Sequence, residues 1–241
     1  MYVREVIIAG KTIEINKYYT YQYKSKKMTR AAKEKSTSKA QEKINNKLAE
    51  KKLRLLLNTN FKANDYHLVL TYRKEDRPST KEDMQEDIKK FLRKLRSKYK
   101  KLNMELKYVH VAEKGIKGAL HHHLVINNID PAVVTSIWKK GRCKFNTLDS
   151  SGQYKDLAHY LLKYTVRATN SEKLSSKKYS TSRNLKKPII KKSIIKKSDT
   201  FKNETIIPKK YKNYYVDKTS VREGINALGY SYFSYTLIRI E

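Results

Sequence analysis

The stretch that most constrains this sequence lies between positions 78 and 127, where one long helical period gives way to two strand periods. Met84, Ile88, Phe91, Leu92, Leu95 and Tyr99 recur at intervals of three and four, the spacing that lines one face of an α-helix. The opposite face is dense in Lys and Arg. Ser79 and Glu82 fit an S-x-x-E capping box, which predicts the helix start just after Pro78. Two β-rich runs follow, at 106–113 and 119–127, joined by Lys114-Gly115-Ile116-Lys117-Gly118. A short connection containing glycine predicts an antiparallel hairpin. A helix with one apolar stripe must bury it, and a sheet is the natural surface.

The rest of the chain fits around that centre. Residues 2–23 read as a β-hairpin with Ala9-Gly10-Lys11 as its turn, and residues 26–57 as a basic helix with a rough stripe from Ile44, Leu48, Leu55 and Leu56. Tyr66 to Tyr72 (YHLVLTY) is a strand. Asp130-Pro131 is an N-cap and first-turn pair that opens a short helix over 131–138. A strand at 142–148 and a helix at 154–167 follow. The central order is therefore strand, helix, strand, strand, helix, strand, helix, which predicts an α+β fold: an antiparallel sheet with helices laid on one face. Residues 170–200 are rich in Ser, Lys, Asn and Thr and carry the local repeat IIKKSIIKKS. They read as a basic, partly ordered arm. The alternation from Tyr230 to Ile240 predicts a last strand that returns to a sheet. The organisation read from sequence is an N-terminal hairpin and basic helix over 1–60, a core over 61–169, and a basic arm with a C-terminal strand over 170–241.

Charge narrows the partners. The 241 residues hold 55 Lys and Arg against 23 Asp and Glu, a formal net charge of +32. Self-repulsion of that size disfavours a compact state unless a polyanion is near, and nucleic acid is the natural polyanion. A ribosomal-type protein or a merely lysine-rich surface competes with that reading. The single cysteine, Cys143, leaves no intrachain disulfide framework or cysteine-based zinc finger and points to a reducing cytoplasm. No run approaches 18 apolar residues, so no membrane span is expected, and the first residues lack a signal-peptide pattern.

The sharpest local feature is His121-His122-His123 within a strand. Alternation puts His121 and His123 on one face and His122 on the other. Two imidazoles so placed can grip one divalent cation. Glu113 on the neighbouring strand is the candidate third ligand, provided the hairpin takes an even-sum register. Nitrogen and oxygen ligands with open positions suit Mg²⁺ or Mn²⁺, with zinc also possible. His110 reads as facing away. The second feature is a helical stripe of Asp156, Tyr160, Lys163 and Tyr164, three and four residues apart, with Leu157 and Leu161 to one side to seat the helix. With 19 tyrosines in the chain, a helical tyrosine matters only through its partners. A phenolate with a lysine one turn away is a competent nucleophile for phosphorus.

In this order, LVLTY (68–72), HHH followed by LVI (121–126) and YLLKY (160–164) resemble the three motifs of the HUH endonucleases. These are the rolling-circle replication initiators of plasmids and single-stranded-DNA phages, with relaxases and small transposases as cousins. His122 is a polar residue in a slot the family usually fills with a bulky apolar one. The resemblance covers about residues 66–167, and Tyr179 to Leu185 (YSTSRNL) looks like a tail segment of bacterial and filamentous-phage initiators. It implies an HUH/RRM-like palm and a metal held by Glu113, His121 and His123. It further implies Tyr160 as nucleophile assisted by Lys163, a 5′-phosphotyrosine, and a free 3′-hydroxyl that primes synthesis. Tyr164, with Arg167 three residues on, resembles the second nucleophile of the two-tyrosine branch, or else packs or touches DNA.

Relaxases commonly place the tyrosine ahead of the histidines, and small transposases are shorter, so the initiator is the favoured member. A non-catalytic basic nucleic-acid-binding protein is the reading from another class. No G-x-x-x-x-G-K-[ST] loop is present among seven glycines, so a separate helicase and the host polymerase are expected partners beside single-stranded or origin DNA.

Overall fold

In the computed structural model the described residues are 1–23, 38–115, 118–167, 177–196 and 204–240, excepting the side chains of 164–167. They form two compact units. One comprises residues 1–45, 151–153 and 187–241; the other comprises 46–150 and 154–186. Each contains a five-stranded antiparallel sheet. The fold is α+β, as the order of elements predicts.

The first unit begins with β1 (Tyr2–Ala9) and β2 (Thr12–Tyr19). They are paired over their full length, from Tyr2↔Tyr19 to Ala9↔Thr12. The two-residue turn between them needs a left-handed residue, and Gly10 takes it with φ 58°. In the second unit, in chain order, come α1 (Lys39–Asn60, its first turns lying in the first unit), β3 (Tyr66–Thr71), α2 (Lys81–Lys101), β4 (Tyr108–Lys114), β5 (Leu120–Ile126), α3 (Pro131–Ile137), β6 (Cys143–Thr147), α4 (Lys155–Arg167) and β7 (Ser180–Thr181). The chain then returns to the first unit with β8 (Ile189–Ile194), β9 (Tyr214–Ile225) and β10 (Ser231–Arg239).

The sheet of the second unit runs β6-β3-β5-β4-β7. Helices cover both of its faces, where the sequence reading put them on one. On one face Met84, Ile88, Phe91, Leu92, Leu95 and Tyr99 of α2, with Val134 and Trp138, pack against Leu68, Leu70, Leu124 and Ile126. On the other, Leu53 and Leu57 of α1 and Ala158, Leu161 and Leu162 of α4 pack against Val109, Val111 and Val125. The near-continuous apolar run of β3 and β5 marks strands buried on both sides. The α2 stripe is fully legible in the sequence, but its cap is not Ser79. Thr80 is the N-cap; its side chain accepts the Asp83 N–H, and its hydroxyl donates to the Asp83 carboxylate at 2.7 Å. At the other end the Tyr99 hydroxyl donates to the Asn127 carbonyl, tying the helix to the end of β5.

The sheet of the first unit runs β8-β1-β2-β10-β9, so the C-terminal strand does return, lying alongside the N-terminal hairpin. Its apolar cluster is Val6, Ile13, Ile15, Phe233, Tyr235 and Leu237. Part of the stretch read as a basic arm is strand: Ile189–Ile194 pairs with β1, and Ser180–Thr181 pairs with β4. The β-branched Ile189, Ile190 and Ile194 favour that state despite the lysines. The beginning of the predicted N-terminal helix lies outside the described residues. Among the described residues no helix is long and apolar enough to cross a membrane.

Two substitutions separate the observed cap from the one read in sequence. Thr80→Ala lowers stability by about 1 kcal/mol, whereas Ser79→Ala, at an exposed position, leaves the urea midpoint unchanged.

Candidate active site

The site is built on β5, the middle strand of its sheet. Between β4 and β5 the partners are Glu113↔His121 and Val111↔His123, the even-sum register. Glu113, His121 and His123 therefore share a face, and one ligand atom from each lies within 4.8 Å of the others. Glu113 Oε2 and His123 Nε2 are 2.6 Å apart, with side chains 10% and 4% exposed. Yet His123 Nε2 makes no hydrogen bond. A buried nitrogen with its lone pair beside a carboxylate oxygen, and no donor between them, is what a shared cation would satisfy. Two imidazoles and one carboxylate thus fit a divalent metal ion. Gly115 stands at the rim; a Cβ there would come within 3.6 Å of the His121 ring.

Burial keeps these imidazoles neutral, the form that can ligate. His121 loses its proton more readily than usual, through burial first; Glu113 opposes this, while His123 and Arg77 add to it.

A third histidine joins the group, one to which the sequence reading gave no role. His67 on β3 pairs with Val125 and so faces the same side. Its Nε2 lies 3.2 Å from His123 Nδ1. Burial, then the charges of His123 and Lys144, pushes its pKa down to about 4. A neutral His67 can accept from His123 Nδ1–H, which leaves the His123 Nε2 lone pair aimed at Glu113 and His121. A polar residue at an inward position of the otherwise apolar strand YHLVLTY is the signal that could have found it.

Helix α4 brings the tyrosine. Tyr154, Ala158, Leu161 and Leu162 are buried and seat the helix, with Leu157 at the flank. That geometry leaves Tyr160 42% exposed, with its ring centroid 5.6 Å from the His123 ring and 5.8 Å from the His67 ring. Lys163 is exposed on the same helix. The side chains of Tyr164 and Arg167 lie outside the described residues. His159 pairs with Glu50 at 3.2 Å, away from this group.

His122 and His110 occupy the reverse face, as alternation requires. The Tyr72 hydroxyl bonds to the Asp87 carboxylate, which can only accept. It therefore accepts from His122 Nε2–H, 2.8 Å away. Neutral His122 then accepts at Nδ1 from His110 Nε2–H at 3.0 Å. His110 Nδ1 is left to accept from the Ser180 hydroxyl at 3.3 Å. Burial, then the charge of His123, lowers the pKa of His110 to about 4; burial, then His110, His123 and His121, lowers that of His122 well below the usual range. The polar residue in the middle of the histidine triplet is accounted for by this chain of bonds. Ser180 belongs to the YSTSRNL segment, whose Ser182 and Asn184 side chains also bond to the backbone of Tyr108 and Leu106.

A sheet that gathers two histidines and a carboxylate beneath a helical tyrosine defines a class of protein that works on phosphodiesters. Residues 65–169 match the family model of the replication-associated protein ORF2, which is consistent with a Rep-type rolling-circle replication initiator and contains all six of the site residues named from sequence. The match supports a role in replication initiation and, with it, DNA binding. Searches of curated proteins and of solved structures returned no match.

His67 and His110 have pKa values near 4 in the folded protein against about 6.5 when unfolded. The unfolded chain binds more protons between those values, so stability is lost as pH falls from about 6.5 toward about 4. In EDTA the urea midpoint drops across that window, and His67→Phe flattens the slope. A separate expectation concerns affinity: His67→Ala weakens Mn²⁺ binding by about 10–100-fold in calorimetry.

Proposed function

We propose that this protein nicks one strand of origin DNA to start rolling-circle replication, with Tyr160 as the attacking group. The observation that carries this reading is the approach of the Tyr160 ring to His123, beside the Glu113–His121–His123 cluster. The match to a replication-associated family supports it. Glu113, His121 and His123 hold a Mg²⁺ or Mn²⁺ ion. When bound, that ion polarises a phosphoryl oxygen and orients the scissile phosphate. Tyr160 Oη forms the new bond to phosphorus, the bond from phosphorus to O3′ breaks, and the leaving oxygen becomes the 3′-hydroxyl that primes synthesis. The ammonium of Lys163, one turn along the helix, favours the phenolate and offsets phosphate charge. The 5′-phosphotyrosine retains the energy of the cleaved bond, so the same residues can later rejoin ends.

Tyr164, one turn beyond Tyr160, is the candidate second nucleophile for the closing step. Residues 61–169 are the catalytic segment, with basic extensions on both sides. A separate helicase opens the duplex and a host polymerase extends the 3′ end, in the bacterial cytoplasm. Relaxases and small transposases share this chemistry; the order of histidines before tyrosine favours the initiator.

The test is a covalent adduct on denaturing gels, from purified protein, Mn²⁺ or Mg²⁺ and labelled single-stranded DNA that includes the element's origin. Wild type forms a metal-dependent adduct; Tyr160→Phe abolishes it, and His121→Ala/His123→Ala lowers it at least about a hundredfold. An adduct that survives Tyr160→Phe but not Tyr164→Phe moves the nucleophile. Tight salt-sensitive binding with no adduct from any form would instead favour a non-catalytic DNA-binding protein.

A further inference from the structure

Four tyrosines gather at one end of the sheet β8-β1-β2-β10-β9. Tyr2 and Tyr19 are cross-strand partners, with ring centroids 5.4 Å apart. Tyr19 stacks flat on Tyr230, at 3.7 Å and an interplanar angle of 3°. Tyr21 meets Tyr19 and Tyr230 edge-on, at 4.9 and 5.9 Å, and its hydroxyl lies 2.6 Å from that of Tyr230. None of the four belongs to the apolar cluster of this unit. Tyr21 is 67% exposed, and the others are only partly buried. Aromatic rings held together outside the core leave faces and edges available to a planar ligand.

One step along the same strands stands a pair of cations. Arg4 and Lys17 are direct cross-strand partners, and strand alternation puts them on the same face as Tyr2 and Tyr19. Like charges directly opposite one another are unfavourable in an antiparallel pair. Lys17 is held below its usual pKa, by partial burial first and the charge of Arg4 second, with Glu204 opposing. An anion placed between Arg4 and Lys17 relieves that repulsion.

A ligand that offers a flat ring to the tyrosines and a negative group to the cations one step away is a nucleotide of single-stranded nucleic acid. Bases inside a duplex are already stacked on one another and cannot present their faces, so the surface discriminates against duplex. We propose that the sheet of the first unit carries its own single-stranded DNA site, in which bases stack on the Tyr19–Tyr21–Tyr230 cluster and the backbone phosphate meets Arg4 and Lys17. This shares with the replication reading only the choice of DNA as the polyanion; it requires neither the metal cluster nor Tyr160.

The experiment measures anisotropy of labelled oligo(dT) with the full chain in EDTA, beside a duplex of equal length. Tyr21→Ala weakens oligo(dT) binding about tenfold and leaves duplex binding and the unfolding temperature unchanged. Tyr21→Phe, which keeps the ring and loses the hydroxyl contact, binds as wild type. In the wild-type protein, photocrosslinking to a bromodeoxyuridine oligonucleotide maps to Tyr19, Tyr21 or Tyr230. Equal weakening of duplex and single strand, unchanged oligo(dT) binding in Tyr21→Ala, or crosslinks confined to other segments would each overturn the proposal. The adduct assay keeps the two readings apart. Loss of the adduct in Tyr160→Phe with unchanged oligo(dT) binding in Tyr21→Ala removes this site alone. Tyrosine-dependent oligo(dT) binding without any adduct removes the nickase alone.

Discussion

The alternation of side chains along β5, held between β3 and β4, is the constraint on which the rest depends. Because the strand is central and paired on both edges, it cannot slip by one residue without exchanging its two faces. Such a slip would carry His121 and His123 into the apolar layer beneath α2 and bring His122 out. The pairing Glu113↔His121 and the chain from Tyr72 through His122 to His110 are two sides of the same registration. One face gathers groups that can share a cation. The other satisfies its polar atoms internally and so holds the strand without competing for the ligand.

Helix α4 depends on that arrangement in turn. Its buried residues, Tyr154, Ala158, Leu161 and Leu162, recur at helical spacing and fix the rotation of the helix on the sheet. Tyr160 is left pointing along the boundary between the packed layer and solvent, above two imidazole rings. A nucleophile in that place is accessible to a polymer substrate while its position is set by packing. His67 adds a brace: it contacts both His123 and Tyr160, so the strand and the helix meet at one buried ring.

Much of this was legible in the sequence because it rests on local periods. The α2 stripe, the β4–β5 hairpin and the facing of Glu113, His121 and His123 follow from spacings of 3.6 and 2 within short windows. The cap on Thr80 differed by one residue because Ser79 and Thr80 are chemically equivalent candidates, and only the backbone angle decides between them. Coverage of both faces of the sheet was not legible, since α1 and α4 carry no mark of the face they will take. His67 was missed for a related reason: its partner is 56 residues away, and long-range strand pairing leaves no local trace. The strand at Ile189–Ile194 was hidden by its lysines, which read as solvated chain until an edge of β1 is there to pair with.

The discontinuity of the first unit has a consequence for the order in which the molecule is made. The segment that carries the histidines and Tyr160 lies within 46–186, apart from the short stretch 151–153, and can begin to pack while the ribosome is still translating the remainder. The N-terminal hairpin cannot complete its sheet so early. Residues such as Ile15 wait for Tyr235, more than two hundred positions later, and until then both edges of the hairpin carry unpaired N–H and C=O groups. Nascent chains are therefore most exposed to wrong pairing between synthesis of the first strand and release of the last. The lysines on β8 and the charges on β1 and β2 fall on the segments that must stay unpaired for longest.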